Sequence, residues 1–122
     1  VPQRILIADD EEGILNILSV LLTKNGYDVI KASDGQSALA TFLAEKPDLA
    51  IFDVTMPPPN GFQVCQKLKT NPDFQQIPVI LLTGKGTEGD RFWGMEAGAD
   101  EYLTKPFDPR EVLQTVKTLL GK

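Results

Sequence analysis

Asp9, Asp10, Asp53, Thr83 and Lys105 all stand at the ends of short apolar runs, where side chains from different parts of the chain can meet. Asp9-Asp10 closes Ile5-Leu6-Ile7-Ala8, Asp53 closes Leu49-Ala50-Ile51-Phe52, Thr83 closes Val79-Ile80-Leu81-Leu82, and Lys105-Pro106 follows Tyr102-Leu103-Thr104. Three carboxylates held close repel by ~1 to 4 kcal/mol per pair at about 4 Å, so they call for a cation. Hard oxygen ligands with no histidine or thiolate suit Mg²⁺ better than zinc. A carboxylate is also a nucleophile toward phosphorus, and it forms an aspartyl phosphate when the incoming charge is neutralised. Mg²⁺ and Lys105 would neutralise it, and Thr83 would donate a hydroxyl hydrogen to a phosphoryl oxygen.

The rest of the composition removes the competing chemistries. Histidine is absent and Cys65 is the single cysteine. Ser/His and Cys/His catalysis, histidine-ligated metals, internal disulfides and thiolate clusters are therefore excluded. A net charge of -5 opposes nonspecific attraction to phosphates, so no direct nucleic-acid contact is expected. With 122 residues, 42% hydrophobic and 24% charged, the chain is expected to form one globular domain over 1–122. No apolar run approaches the ~20 residues that span a bilayer, and Val1-Pro2-Gln3-Arg4 lacks a secretory signal's apolar stretch. Membrane insertion is not expected, and the cytoplasm is the expected location.

The elements that must position these residues alternate between apolar runs and amphipathic stretches, the pattern of an α/β fold with a doubly wound parallel sheet. Strands are predicted over about 4–9, 27–32, 48–53, 77–83 and 100–104. A first helix carries Ile14, Leu15, Leu18, Leu21 and Leu22 at helical spacing and stops at Asn25-Gly26. The second, over about 34–45, follows Ser33-Asp34 as candidate caps and puts Leu39, Phe42 and Leu43 on one side. The third, over about 61–70, buries Phe62, Cys65 and Leu68.

A fourth helix over about 87–97 contains Gly89 and Gly94, each costing ~1 kcal/mol relative to Ala, and is expected to be the mobile one. Phe92, Trp93 and Met95 on it read as packing or partner-surface residues. The fifth helix opens at Asp108-Pro109-Arg110-Glu111, with Asp108 as cap and Glu111 placed to close a capping box, and carries Val112, Val116, Leu119 and Leu120 as its apolar stripe. Parallel strands deliver their ends to one edge of the sheet, so the five chemical residues are expected to converge there.

With these residues in place, the chain resembles the receiver domain of two-component response regulators, and is similar to single-domain chemotaxis-type regulators. The matching residues are Asp9-Asp10, then Phe52-Asp53-Val54-Thr55-Met56-Pro57 with Asn60-Gly61, then Leu82-Thr83-Gly84, Gly98-Ala99-Asp100-Glu101-Tyr102 and Lys105-Pro106-Phe107. Each motif alone is weak, whereas all of them in order over nearly the whole chain are specific. The resemblance implies a flavodoxin-like sheet of order 2-1-3-4-5 with five helices.

It also implies that Asp53 accepts phosphate from the phosphohistidine of a histidine kinase or phosphotransfer protein. Asp10, Asp53 and the backbone carbonyl of Thr55 would bind Mg²⁺, with Asp9 acting through water. Lys105 would pair with the phosphoryl group, and Thr83 and Tyr102 would relay the state to the face of the fourth helix, fifth strand and fifth helix. A downstream effector, or an output domain missing from these residues, would read that face. The Lys105-Pro106 bond would be cis, as this family's usually is.

Three positions depart from the family's commoner pattern. Gly84 stands where Ala often follows the hydroxyl, Thr55 occupies a position that influences phosphate lifetime, and Pro58-Pro59 adds prolines to its loop. Plainer roles compete at single residues. Glu11 and Glu12 read as acids favouring a helix N-terminus, and Tyr102 can equally be a half-buried aromatic with a wet hydroxyl. A haloacid-dehalogenase-type phosphatase would carry a second Asp at position 55, where this chain has Thr. An FMN carrier of the flavodoxin type would have a hydroxyl-rich loop in place of the acidic Asp9-Asp10. The expectation is a phosphoacceptor with intrinsic self-phosphorylation and autodephosphorylation, not a turnover enzyme.

Overall fold

Each apolar run is five residues or fewer, and the period of two along it decides which face of the sheet each side chain serves. The computed structural model describes residues 2–84 and 97–121. Strands β1 (Arg4–Ala8), β2 (Asp28–Ala32), β3 (Leu49–Asp53), β4 (Val79–Thr83) and β5 (Glu101–Thr104) form one sheet. All pairs are parallel and the order is β2-β1-β3-β4-β5, as expected. The described helices are α1 (Glu12–Lys24), α2 (Gly35–Glu45), α3 (Gly61–Lys69) and α4 (Pro109–Leu119). The helix predicted over 87–97, with Phe92, Trp93 and Met95, lies outside the described residues apart from Ala97.

On one face, Ile5, Ile7, Leu49, Ile51, Ile80, Leu82 and Leu103 pack with Leu15, Leu18 and Leu22 of α1 and Val112 and Val116 of α4. On the other, Leu6, Ala8, Ala50, Phe52, Leu81 and Tyr102 pack with Phe42 of α2 and Val64, Cys65 and Leu68 of α3. Phe42 meets Phe74 edge to face, with ring centroids 5.5 Å apart. Burying each large apolar side chain contributes ~1.5 to 3 kcal/mol, so the sheet is clamped from both sides.

Several strand ends differ from the predicted ones by one or two residues. β1 ends at Ala8, and the N–H of Asp9 still donates to Ala32 O at 3.3 Å as the last bond of the ladder. Tyr27 stays outside β2 because its N–H closes α1 on Leu22 O, with Gly26 at φ +90 making the turn. β4 starts after Pro78, which has no N–H to give a ladder. Asp34 caps α2 through Ser37 N–H at 2.7 Å, as expected.

Two helix expectations are corrected. Asp108 caps α4 through Arg110 N–H, but the reciprocal capping box stands instead at α3, between Asn60 and Gln63. Leu43 is 45% exposed, because Ala38 and Phe42 take the inward side of α2.

Candidate functional site

Register fixes the geometry of the sheet's C-terminal edge. Ala8 is level with Phe52, Asp53 with Leu82, and Thr83 with Thr104, so the residues that follow each strand emerge side by side. Asp9, Asp10 and Asp53 converge there, with a carboxylate oxygen from each lying within 4.8 Å of the others. Asp53 and Asp9 are buried while Asp10 is exposed, so the cluster has one open side. A cavity of about 400 Å³ opens beside Asp9 and Asp10, bounded by Asn16, Lys31 and Ser33.

The two strand-ending aspartates use the same local device. Asp9 Oδ1 accepts the N–H of Glu11 at 2.9 Å, and Asp53 Oδ1 accepts that of Thr55 at 3.3 Å. Each carboxylate is thus turned by the chain two residues ahead of it. Thr55 adds a second bond, its hydroxyl donating to Asp53 Oδ2 at 2.8 Å. The sequence assigned Thr55 only a carbonyl and a general influence on lifetime. The two-residue spacing after Asp was the signal that a hydroxyl there reaches the carboxylate.

Lys105 faces the cluster from the end of β5. Its N–H donates to Thr83 O at 2.6 Å, which fixes where its side chain starts. Its Nζ lies 3.0 Å from Asp9 Oδ2, 3.4 Å from Asp53 Oδ1 and 3.4 Å from Glu11 Oε1. Glu11 stands at the N-cap of α1 and Glu12 in its first turn, as expected of acids at a helix start, and the structure adds the ion pair of Glu11 with Lys105. Only tertiary folding brings residues so distant in sequence together. Lys105-Pro106 is cis, as the resemblance implies.

Three carboxylates thus meet one ammonium, and Asp10 adds a fourth negative charge to the cluster. Burial pushes the Asp9 carboxyl up to about 6; the charge of Asp53 adds to the rise, and the Glu11 N–H and Lys105 oppose it. Burial draws the Lys105 ammonium down, but its bond to Asp9 and the charges of Asp53, Asp9 and Glu11 prevail and hold its pKa above the ordinary lysine value. Hard oxygen donors, an excess of negative charge and an open side together fit a divalent cation such as Mg²⁺.

Thr83 and Tyr102 are buried on the neighbouring strands. Thr83 ends β4 and is buried, while Tyr102 is two positions inside β5, level with Leu81 and packed in the core of that face. Cys65 has no part in the site: it is buried beside Ala97 O, and burial raises its thiol to about 12.

A sequence profile of the response regulator receiver domain matches residues 5–117. Over 120 residues the chain is 47% identical to the alkaline phosphatase synthesis transcriptional regulatory protein PhoP of Bacillus subtilis (strain 168), covering 98% of this chain and 49% of that protein. It is 44% identical over 119 residues to the DNA-binding dual master transcriptional regulator RpaA of Synechocystis sp. (strain ATCC 27184 / PCC 6803 / Kazusa), with 98% and 49% covered. The chain spans about half the length of these curated relatives.

Among solved structures, the CheY-like response regulator receiver domain protein of Methanospirillum hungatei JF-1 superposes with a TM-score of 0.92 at 31% identity, covering 99% of this chain and 95% of that one. Chemotaxis protein CheY4 of Vibrio cholerae gives a TM-score of 0.91 at 30% identity, with 98% and 99% covered. Fold, acidic edge and sequence agree: the chain belongs to the response regulator receiver domain family, the phosphorylation-controlled signalling modules of two-component systems.

Proposed function

We propose that Asp53 is the phosphoacceptor, taking a phosphoryl group from the phosphohistidine of a histidine kinase or phosphotransfer protein. The observation that carries this reading is a fully buried carboxylate at the sheet edge, 3.4 Å from Lys105 and inside a cluster whose negative charge exceeds its positive. An oxygen of Asp53 bonds to phosphorus as the phosphorus–nitrogen bond of the donor breaks, and the bonding pair leaves with the imidazole. Lys105 offsets the negative charge of the arriving group. Thr55 orients the carboxylate through its N–H and hydroxyl.

Asp10, Asp53 and the Thr55 carbonyl would hold Mg²⁺, with Asp9 reaching it through water. When bound, the ion offsets the charge of the carboxylates and of the phosphoryl oxygens. Thr83 and Tyr102 carry the state to the face of β5, α4 and the helix predicted over 87–97. The position of Thr83 supports this, since its carbonyl takes the N–H of Lys105. The chain is an acceptor that labels itself from small donors and loses the phosphate by autodephosphorylation, rather than a turnover enzyme.

For the donor, an apolar groove lined by Ile14, Ile17, Lys105, Pro106, Phe107 and Pro109 supports approach along α1. Lys105 belongs to both groove and site, so a donor delivering its phosphohistidine would cover the groove. Residues 1–122 form one receiver domain, read by a separate effector or by an output domain joined to it. The charge of -5 supports leaving direct contact with nucleic acid to another unit. The cytoplasm is the proposed location, and no helix among the described residues is long and apolar enough to cross a membrane.

Incubation with acetyl phosphate and Mg²⁺ is expected to add one acid-stable, base-labile phosphoryl group, lost in Asp53→Asn. Intact mass spectrometry showing equal labelling of Asp53→Asn would sink the assignment.

A further inference from the structure

Two glycines flank the proline-rich loop between β3 and α3, and both occupy sites where a side chain has no room. A Cβ built on Gly35, the first residue of α2, would lie 1.7 Å from Pro59 O and 2.8 Å from Pro59 C. A Cβ on Gly61, the first residue of α3, would lie 2.5 Å from Asp53 O and 2.9 Å from Asp53 C. Neither glycine is among those with positive φ, so space and not backbone conformation requires them. Gly13, by contrast, has nothing within 4 Å of such an atom.

These contacts act in series: the start of α2 bears on Pro59, and two residues later Gly61 bears on the backbone of Asp53. The segment between is stiff, since the prolines lock φ and the Asn60–Gln63 capping box fixes its far end to α3. Its near end meets an α2 start held by Asp34. Beyond Gly61, Val54 N–H is tied to Leu82 O at 2.9 Å, so Asp53 cannot yield freely to a push on its carbonyl.

We infer that Gly35 is a positioning residue for Asp53, setting the place of the acceptor carboxylate through a strut of Pro59, Asn60 and Gly61. This inference rests on Asp53 as phosphoacceptor. A nucleophile must meet phosphorus in line, and a misplacement of about 1 Å costs up to ~100-fold in rate. The strut therefore makes the seating of α2 a determinant of phosphorylation, although α2 contributes no group to the site.

The test compares the rate of labelling by acetyl phosphate and Mg²⁺ in Gly35→Ala, Pro59→Gly, the double variant and Gly13→Ala, alongside ¹⁵N amide spectra of each. Gly35→Ala is expected to slow labelling about tenfold and Pro59→Gly about threefold, with the double variant no slower than Gly35→Ala because both act on one strut. Gly13→Ala should label at the wild-type rate. The amides of Asp53 and Thr55 should shift in Gly35→Ala and stay in place in Gly13→Ala.

Wild-type labelling of Gly35→Ala, rates in the double variant that multiply those of the singles, or amide shifts confined to α2 would each overturn the inference. If Gly35→Ala does not fold, Pro59→Gly decides, since it adds no atom: a wild-type rate with unmoved Asp53 and Thr55 amides overturns the strut. Should Asp53→Asn be labelled like the wild type, the acceptor reading falls by itself. The Asp53 and Thr55 amides then still decide whether the strut exists.

Discussion

Lys105 and Lys69 stand at opposite edges of the same sheet, with side chains only 13% and 10% exposed, and they differ in what surrounds them. Lys69, the last residue of α3, lies 2.6 Å from Asp100 and donates to the carbonyls of Gln75 at 3.0 Å and Ile77 at 2.7 Å. Its three donors have three acceptors, and Asp100 also receives Val79 N–H at 2.8 Å. Lys105 meets three carboxylates at 3.0 to 3.4 Å, with Asp10 in the same acidic cluster. A lysine whose charge is matched one to one ties the chain together. A lysine outnumbered by carboxylates marks a place prepared for further positive charge, and then for a phosphoryl group.

The sharpest way to break this comparison is to remove both cations in turn. Lys105→Met should slow labelling by acetyl phosphate by about 100-fold while the fold survives, because it removes charge compensation that matters most in the transition state. A rate within threefold of wild type would make Lys105 as structural as Lys69. Lys69→Met should do the reverse, costing about 2 kcal/mol in denaturant unfolding by leaving Asp100 and two carbonyls short of a donor, with labelling near normal. Equal losses of activity in the two variants would erase the distinction.

A smaller effect sharpens the claim of excess negative charge. The Asp9 pKa is raised to about 6 from 3.8, so in the absence of divalent cations the folded state holds this proton more tightly than the unfolded chain does. The contribution from Asp9 is then full below about pH 4 and is lost as pH rises through 6. Each pKa unit is worth about 1.4 kcal/mol. Asp9→Asn keeps the acceptor for Glu11 N–H but loses the ion pair with Lys105. The net gain in stability at pH 7 is expected to be about 1 kcal/mol, with a flatter profile between pH 4 and 7. Chemical denaturation across that range reads it, and a variant less stable than wild type at pH 7 would show that Lys105 already balances the cluster.

Much of this was legible one residue at a time. The runs ending at Asp9, Asp53, Thr83 and Lys105 needed only hydrophobic patterning, because a parallel strand buried on both faces must be apolar along its length. The stop at Asn25-Gly26 and the cap at Asp34 followed from local backbone chemistry. What escaped depended on neighbours distant in sequence or on space. Helical period puts Leu43 inside, but Ala38 and Phe42 take that side of α2. Glu11 read as a dipole acid because its partner lies 94 residues away. Gly35 carries no local mark in the sequence, because the backbone of Pro59 that presses against it belongs to a distant loop.

By itself, then, the sequence determined the kinds of groups available, the order of strands and helices, and the meeting of three aspartates, a threonine and a lysine at one edge. Those follow from composition, period and the common direction of parallel strands, all of which are local or additive. Only the tertiary structure decided that Thr55 holds both oxygens of Asp53, that Lys105 is outnumbered by acids, and that two missing side chains let a proline strut bear on the acceptor. Such relations depend on distances between atoms far apart in the chain, which are settled only when the two faces of the sheet are packed.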